Sequence, residues 1–201
     1  MLNVHSLTCL RNKQLLFSNL NFNLASSEIL HVMGANGSGK TSLLQIVVGL
    51  LKPYQGEIYW KNVSVMTCDA DYRANLIYLG HRTGIKDGLT ALENLKMAVK
   101  LSQKTSKRLN YQSVLERVGL EKFSHVLSQH LSAGQRQRLA LARLLLVEAS
   151  LWVLDEPFTS LDNEAATLLK TLLQEHVARG GISVLTSHQE LNLTEVKKLL
   201  L

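Results

Sequence analysis

The sequence lacks any apolar run long enough to cross a membrane. Its longest strongly apolar stretch, residues 139–147, is interrupted by Arg143, whereas a membrane-spanning helix needs about 20 apolar residues in succession. Residues 1–14 contain no basic stretch followed by an apolar core, so they do not have the pattern of a cleaved secretory signal. We therefore expect a chain that does not span a bilayer and that resides in the cytoplasm.

Cysteine is also scarce, and charged clusters are short. Cys9 and Cys68 have neither the paired spacing of metal ligands nor the number needed for a disulfide framework, which favours two packed thiols in a reducing compartment. The net charge is +6, but the basic residues are scattered, with small clusters at 104–108 and 197–198. Charge alone therefore does not distinguish nucleic acid, an anionic membrane surface and bound phosphate as partners.

The order of strand and helix patterns predicts an α/β protein with one domain. Strands are predicted at residues 2–10, 15–24, 28–33, 57–60, 76–79, 151–154 and 182–186, and helices at 40–48 and 163–178. Helical periodicity alone dominates residues 90–148. We predict a core of residues 1–89 and 149–201, with a mixed sheet that has an antiparallel edge, and an inserted helical subdomain at about 90–148.

A glycine-rich segment lies between a predicted strand and a predicted helix. It matches the phosphate-loop pattern G-x-x-x-x-G-K-[ST] without deviation. Backbone N–H groups and a helix N-terminus surround phosphates in such a loop. We expect ATP binding here, with Lys40 at the β and γ phosphates and Thr41 on Mg²⁺. The predicted nucleotide-binding residues are Gly34, Ala35, Asn36, Gly37, Ser38, Gly39, Lys40, Thr41 and Ser42.

Two acidic residues follow the apolar strand predicted at 151–154. Asp155 would stand at the carboxyl end of that strand, where a carboxylate can hold Mg²⁺ through water. Glu156 is the candidate for polarising the attacking water. Together with the phosphate loop, this pair predicts a P-loop nucleoside triphosphatase, and it does not specify which one.

Three further segments narrow the class. Residues 131–135 are Leu-Ser-Ala-Gly-Gln, and they resemble the LSGGQ signature of the ATP-binding-cassette (ABC) family, with Ala133 where glycine is usual. Residues 160–162 resemble the D-loop of that family, and His188 resembles its switch histidine. The resemblance covers essentially the whole chain and implies a homodimer whose ATP sites are composite. Beside the catalytic residues Glu156 and His188, it implies nucleotide contacts by Ser132, Ala133, Gly134, Gln135 and Asp162.

Two positions depart from the family pattern. By spacing, Arg82 occupies the place of a glutamine that follows the strand at 76–79, and arginine has no acceptor with which to ligate Mg²⁺. Arg11 stands where the family often has an aromatic residue against adenine. A guanidinium plane can stack on a base, and a hairpin arginine can equally point into water.

Residues 80–86, 89–95, 151–159 and 186–189 resemble the ATP-binding haem-export subunits of bacterial cytochrome c maturation. This resemblance implies separate integral membrane subunits, a peripheral position on the cytoplasmic face of the inner membrane, and ATP-driven work in delivering haem. It implies no nucleic acid partner. We expect the membrane partner to contact a groove near residues 82–95. The alternatives are an ABC ATPase for another cargo, a soluble ABC protein acting on ribosomes or DNA, and a nucleotide-binding module with weak turnover.

The first test concerns Glu156. Since a general base contributes about 10²–10⁴ in rate, Glu156→Gln should bind ATP and hydrolyse it slower by that factor. Nucleotide binding and phosphate release are measured on the same preparation. Turnover at the wild-type rate in the variant would remove Glu156 from this role.

Overall fold

The computed structural model describes residues 1–67, 70–102, 104, 110–188, 190, 191, 193 and 196–201. Among these residues, none of the helices is long and apolar enough to cross a bilayer. Cys9 is a buried free thiol, and Cys68 lies outside the described residues. The helices are α1 (Lys40–Val47), α2 (Ala70–Ala74), α3 (Ala91–Leu101), α4 (Tyr111–Arg117), α5 (Ala133–Leu146) and α6 (Asn163–Ala178).

The strands form two sheets. An antiparallel sheet has the order β2-β1-β4-β5, and a parallel sheet has the order β6-β7-β8-β3-β9. The predicted α/β class is confirmed, but the antiparallel strands form a sheet of their own, because β1 pairs with β2 on one side and β4 on the other. The strands are β1 (Leu2–Arg11), β2 (Gln14–Leu24), β3 (Ile29–Met33), β4 (Gln55–Trp60), β5 (Val63–Ser64), β6 (Leu76–Leu79), β7 (Leu151–Leu154), β8 (Ile182–Thr186) and β9 (Val196–Leu200).

The edge strand β9 has no counterpart in the sequence-based prediction. It pairs in parallel with β3 at the edge of the five-stranded sheet. Lys197 and Lys198 are adjacent and exposed, so the strand shows no alternation of apolar and polar residues. Lys197 donates to Glu28 at 2.7 Å. A charged edge of this kind also discourages pairing with another chain.

Three hydrophobic clusters hold the layers together. One packs α1 against the antiparallel sheet and one face of the parallel sheet. A second packs α6 on the parallel sheet, and a third fills the interior of the helices between β6 and β7. Helix α5 contributes Leu141 to the second cluster and Leu139 to the third. This helix therefore joins the main core to the helical region.

His176 is buried on α6 and stacks on Trp152 of β7, with ring centroids 4.0 Å apart and planes at 11°. Its Nε2 lies 3.2 Å from the carbonyl oxygen of Ile182. A Cβ at Gly181 would lie 2.3 Å from the His176 ring, so the close approach of the loop to the imidazole requires glycine. Burial lowers the pKa of His176 from 6.5 to about 4.

This shift predicts acid sensitivity. Between pH 6.5 and pH 4 the unfolded chain binds a proton at His176 that the folded chain does not. The full free energy of unfolding is therefore present above pH 6.5, where His176 is neutral in both the folded and the unfolded chain. It should decline towards pH 4 by on the order of 3 kcal/mol.

Urea unfolding of the wild type and His176→Phe at pH 7 and at pH 4.5 measures this effect. The variant should lose less stability on acidification than the wild type, because phenylalanine retains the stacked ring and has no titrating group. Equal losses in the two proteins would contradict the assignment.

Candidate active site

The phosphate loop lies at the carboxyl end of β3 and leads directly into α1. Gly39 is the N-cap of α1 with φ 104°, and Gly34 has φ 151°. A Cβ at Gly34 would lie 2.6 Å from Ser38 Oγ, and one at Gly39 would lie 3.1 Å from Leu16 Cβ. Both glycines are therefore required by backbone conformation and by close approach.

Lys40 is the first residue of α1, and its amine folds back under the loop. Nζ donates to the carbonyl oxygens of Gly34 at 2.8 Å and Ala35 at 3.1 Å, and the residue is only 8% exposed. The first turn of α1 contains no acidic residue. The positive end of the helix is therefore not neutralised from within, and it adds to the attraction of Lys40 for anions.

An open cavity of about 580 Å³, called the nucleotide cavity below, lies over the phosphate loop. It gathers residues from the first hairpin, the phosphate loop and the segments after β6, β7 and β8, because the carboxyl ends of neighbouring parallel strands meet at one edge. Its lining residues are Arg11, Leu16, Asn36, Gly37, Gly39, Lys40, Thr41, Ser42, His81, Glu156, Thr159 and His188.

Asp155 directly follows β7 and is 4% exposed. Its backbone N–H donates to the Leu79 carbonyl at 2.8 Å. Its Oδ1 accepts a hydrogen bond from Thr186 Oγ1 at 2.9 Å. Its Oδ2 is buried and has no hydrogen-bond partner within the described part of the chain. One carboxylate oxygen is thus fixed by the protein, and the other is left for a ligand.

The surroundings of Asp155 fit a magnesium ion. Asp155 and Thr41 line one cavity of about 450 Å³, together with Tyr78 and His81. The unpartnered carboxylate oxygen and the threonine hydroxyl are oxygen ligands, which Mg²⁺ prefers. Burial and the nearby Asp155 raise the pKa of Tyr78 to about 12, so this phenol stays neutral.

Glu156 and His188 approach each other at the edge of the nucleotide cavity. Glu156 Oε1 lies 3.4 Å from His188 Nε2. The backbone of Glu156 has φ 51°, a left-handed conformation that turns the chain sharply after Asp155. The two predicted catalytic residues therefore lie together on the cavity wall, although they are 32 positions apart in the sequence.

Thr186 is not among the predicted site residues, but its hydroxyl contacts both Asp155 and the backbone of Glu156. Its hydroxyl donates to Asp155 Oδ1 and accepts the backbone N–H of Glu156 at 2.8 Å. The sequence signal was a threonine at the end of a buried strand, three positions after Ser183 and two before His188. Because β7 and β8 are parallel neighbours, that hydroxyl meets the two acids.

Arg11 and Arg82, the two residues that depart from the family pattern, line two different cavities. Arg11 lines the nucleotide cavity. Arg82 lines the smaller cavity beside Thr41 and Asp155. His81 lines both cavities. The imidazole of His81, rather than the Arg82 guanidinium, is therefore the side chain of this loop that borders the nucleotide cavity.

The signature segment forms the start of α5. Ser132 is the N-cap, its Oγ accepts the backbone N–H of Gln135 at 3.2 Å, and Gln135 Oε1 accepts the backbone N–H of Ser132 at 2.9 Å. Ala133 and Gly134 are the first residues of the helix. None of these four residues lines the nucleotide cavity of their own chain. Asp162 is the N-cap of α6, and it does not line that cavity either.

Comparisons with known proteins agree with this geometry. A family model described as ABC transporter matches residues 17–159. The cytochrome c biogenesis ATP-binding export protein CcmA of Methylococcus capsulatus is 44% identical over 93% of this chain and 90% of its own length. The protein of the same name from Dechloromonas aromatica is 44% identical over 96% of this chain and 95% of its own. A dimeric ATP-binding cassette solved with ADP and phosphate is 27% identical, with TM-score 0.78, over 94% of this chain and 88% of its own.

The fold and the phosphate site thus define an ATP-binding cassette. This chain belongs to the ABC transporter family. It is an ATP-binding subunit that hydrolyses ATP, and these two relatives, each 44% identical over the aligned residues, are ATP-binding export proteins of cytochrome c biogenesis.

The hydrogen bonds of Thr186 to Asp155 and Glu156 predict that its hydroxyl is needed for turnover. Thr186→Val removes the hydroxyl that orients Asp155 and the backbone of Glu156. A displacement of catalytic groups by about 1 Å can cost 10²-fold in rate, so turnover should fall at least tenfold while ATP binding through Lys40 persists. Thr186→Ser keeps the hydroxyl and is the matched control. A valine variant as active as the serine variant would contradict the role of Thr186.

Proposed function

We propose that this chain powers an export step in the biogenesis of c-type cytochromes, with haem as the cargo indicated by the sequence resemblance. The supporting observation is the agreement between the ATP site and the relatives, which are export proteins of that process and match nearly the full chain. The proposal places the chain at the cytoplasmic face of the inner membrane, bound to separate membrane subunits.

The proposed site residues divide the work of ATP hydrolysis. Residues 34–42 bind the phosphates, with Lys40 at the β and γ phosphates. Thr41 and Asp155 would hold Mg²⁺, which neutralises phosphate charge when bound. Glu156 orients a water and takes its proton as the water oxygen attacks the γ-phosphorus. The bond to the bridging oxygen then breaks and gives ADP and phosphate.

His188 and Glu156 form one unit in this scheme. With 3.4 Å between His188 Nε2 and Glu156 Oε1, the imidazole is placed to hold the carboxylate and to contact the γ-phosphate. The Asp155 carboxylate stays hydrogen-bonded to Thr186 throughout, so its free oxygen keeps its direction.

The second half of the site comes from another copy of the chain in this proposal. Ser132, Ala133, Gly134 and Gln135 lie outside the nucleotide cavity of their own chain. The N-terminus of α5 has no acidic residue in its first turn, so it presents a positive end suited to a γ-phosphate. A homodimer brings this end onto the ATP held by the other copy, and Asp162 joins the same interface.

The membrane subunit is proposed to contact a groove of about 440 Å³ beside α3. Its lining includes Gly84, Ile85 and Lys86, within the segment expected from sequence, whereas Arg82 is not part of it. Leu101 on the groove wall is 77% exposed. The half-buried Arg143 side chain also lines the groove. We expect a cytoplasmic segment with apolar side chains and one acidic group.

Purification of the tagged chain from detergent-solubilised membranes, followed by mass spectrometry, tests this function. Multi-span membrane proteins that handle haem should accompany the chain. Leu101→Glu should release them, whereas Leu50→Glu should retain them, because Leu50 is comparably exposed at 70% and does not line the groove. Ribosomal proteins or nucleic acid without any membrane chain would contradict the proposal.

A further inference from the structure

Helix α5 is hydrogen-bonded to the loop that follows Glu156 at two points and approaches it closely at a third. A Cβ on Gly134 would lie 3.1 Å from the carbonyl oxygen of Ser160. Gln137 Nε2 donates to the Pro157 carbonyl at 3.0 Å. Arg138 Nη2 donates to both carboxylate oxygens of Asp162, at 2.7 and 2.6 Å. The loop of residues 157–162 is therefore hydrogen-bonded to α5 at both ends.

Arg138 makes a charged contact with the loop, in which its own side chain is 14% exposed and that of Asp162 is 61% exposed. Its Nη1 also donates to the carbonyl oxygen of Val118 at the end of α4, at 3.2 Å. Gly119 has φ 69°, and a Cβ there would lie 2.8 Å from that Nη1. The glycine thus leaves the space in which the guanidinium joins α4, α5 and the start of α6.

Asp162 receives hydrogen bonds from two sides. Besides Arg138, its Oδ1 accepts the backbone N–H of Ala165 at 2.9 Å as the N-cap of α6. The hydrogen bond with Arg138 lowers the pKa of Asp162 and raises that of Arg138, so both groups are charged at neutral pH. A charge-assisted contact of this geometry is among the stronger hydrogen bonds in proteins.

We propose that Gln137 and Arg138 are positioning residues that make the signature helix and the loop after Glu156 move as one body. This inference rests on the proposed roles of the signature segment and Glu156. When the start of α5 engages the γ-phosphate held by the other copy, the hydrogen bonds of Gln137 and Arg138 carry residues 157–162 with it. That loop begins at the residue next to Glu156, so the same movement sets the carboxylate of Glu156 in its own site.

The expected effect is on turnover rather than on binding. Neither Gln137 nor Arg138 lines the nucleotide cavity. A loop released from α5 leaves Lys40 and the phosphate loop intact, so ATP binding persists. Glu156 then spends less time in its productive orientation. A misplacement of about 1 Å can cost roughly 10- to 100-fold in rate.

The test is steady-state ATP hydrolysis by the full chain with four variants. Arg138→Gln should lower kcat about tenfold or more, with KM for ATP changed less than about twofold. Arg138→Lys should recover part of the loss, because it retains the charge. Gln137→Leu should lower kcat with the same unchanged KM. Arg117→Gln is the matched control, since it breaks the 2.6 Å Arg117–Glu175 pair between α4 and α6, and it should keep wild-type turnover.

A double-mutant cycle measures the coupling between Arg138 and Asp162. The losses in Arg138→Gln and Asp162→Asn should combine to less than their product in the double variant, as for residues that act through one contact. Wild-type kcat in Arg138→Gln, or a raised KM with kcat retained, would overturn the inference. If Arg138→Gln fails to fold, wild-type kcat in Gln137→Leu overturns it. Glu156→Gln in the same assay separates the cases, since its wild-type turnover would instead refute the proposed role of Glu156.

Discussion

The parallel pairing of β3, β7 and β8 sets the relative positions of the phosphate loop, Asp155 and Thr186. Leu154 of β7 is paired with Leu185 of β8, and Val32 of β3 with Thr186. The phosphate loop, Asp155 and the Thr186 hydroxyl therefore emerge at one level of one sheet edge. A shift of register between β7 and β8 would separate the carboxylate from the hydroxyl, and no local motif could restore the contact.

Helix α5 imposes the second constraint, because it belongs to two hydrophobic clusters at once. Its first turn carries the signature segment, and its middle holds the loop after Glu156 through Gln137 and Arg138. Packing, signature and catalytic loop are thus linked through one rigid element. In the proposed scheme, this arrangement lets a helical region that does not line the nucleotide cavity influence hydrolysis there.

The parts of the fold that the sequence predicts are those with local signals. The phosphate loop has a fixed spacing of glycines, and β7 and β8 are short apolar runs bounded by polar turns. Strand β9 has no such signal, because two adjacent lysines interrupt any alternation. The independent antiparallel sheet depends on which strands flank β1, which is a long-range property. Thr186 and Arg138 act through partners 31 and 24 positions away, so spacing within a motif does not identify them.

The central claim is that hydrolysis takes place in a site completed by a second copy of the chain. The measurement that tests it most directly is ATP turnover per chain over a wide range of chain concentration, with sedimentation on the same samples. The account predicts that turnover per chain rises with concentration as dimers form in the presence of ATP. Constant turnover per chain in samples that sediment as monomers would contradict it.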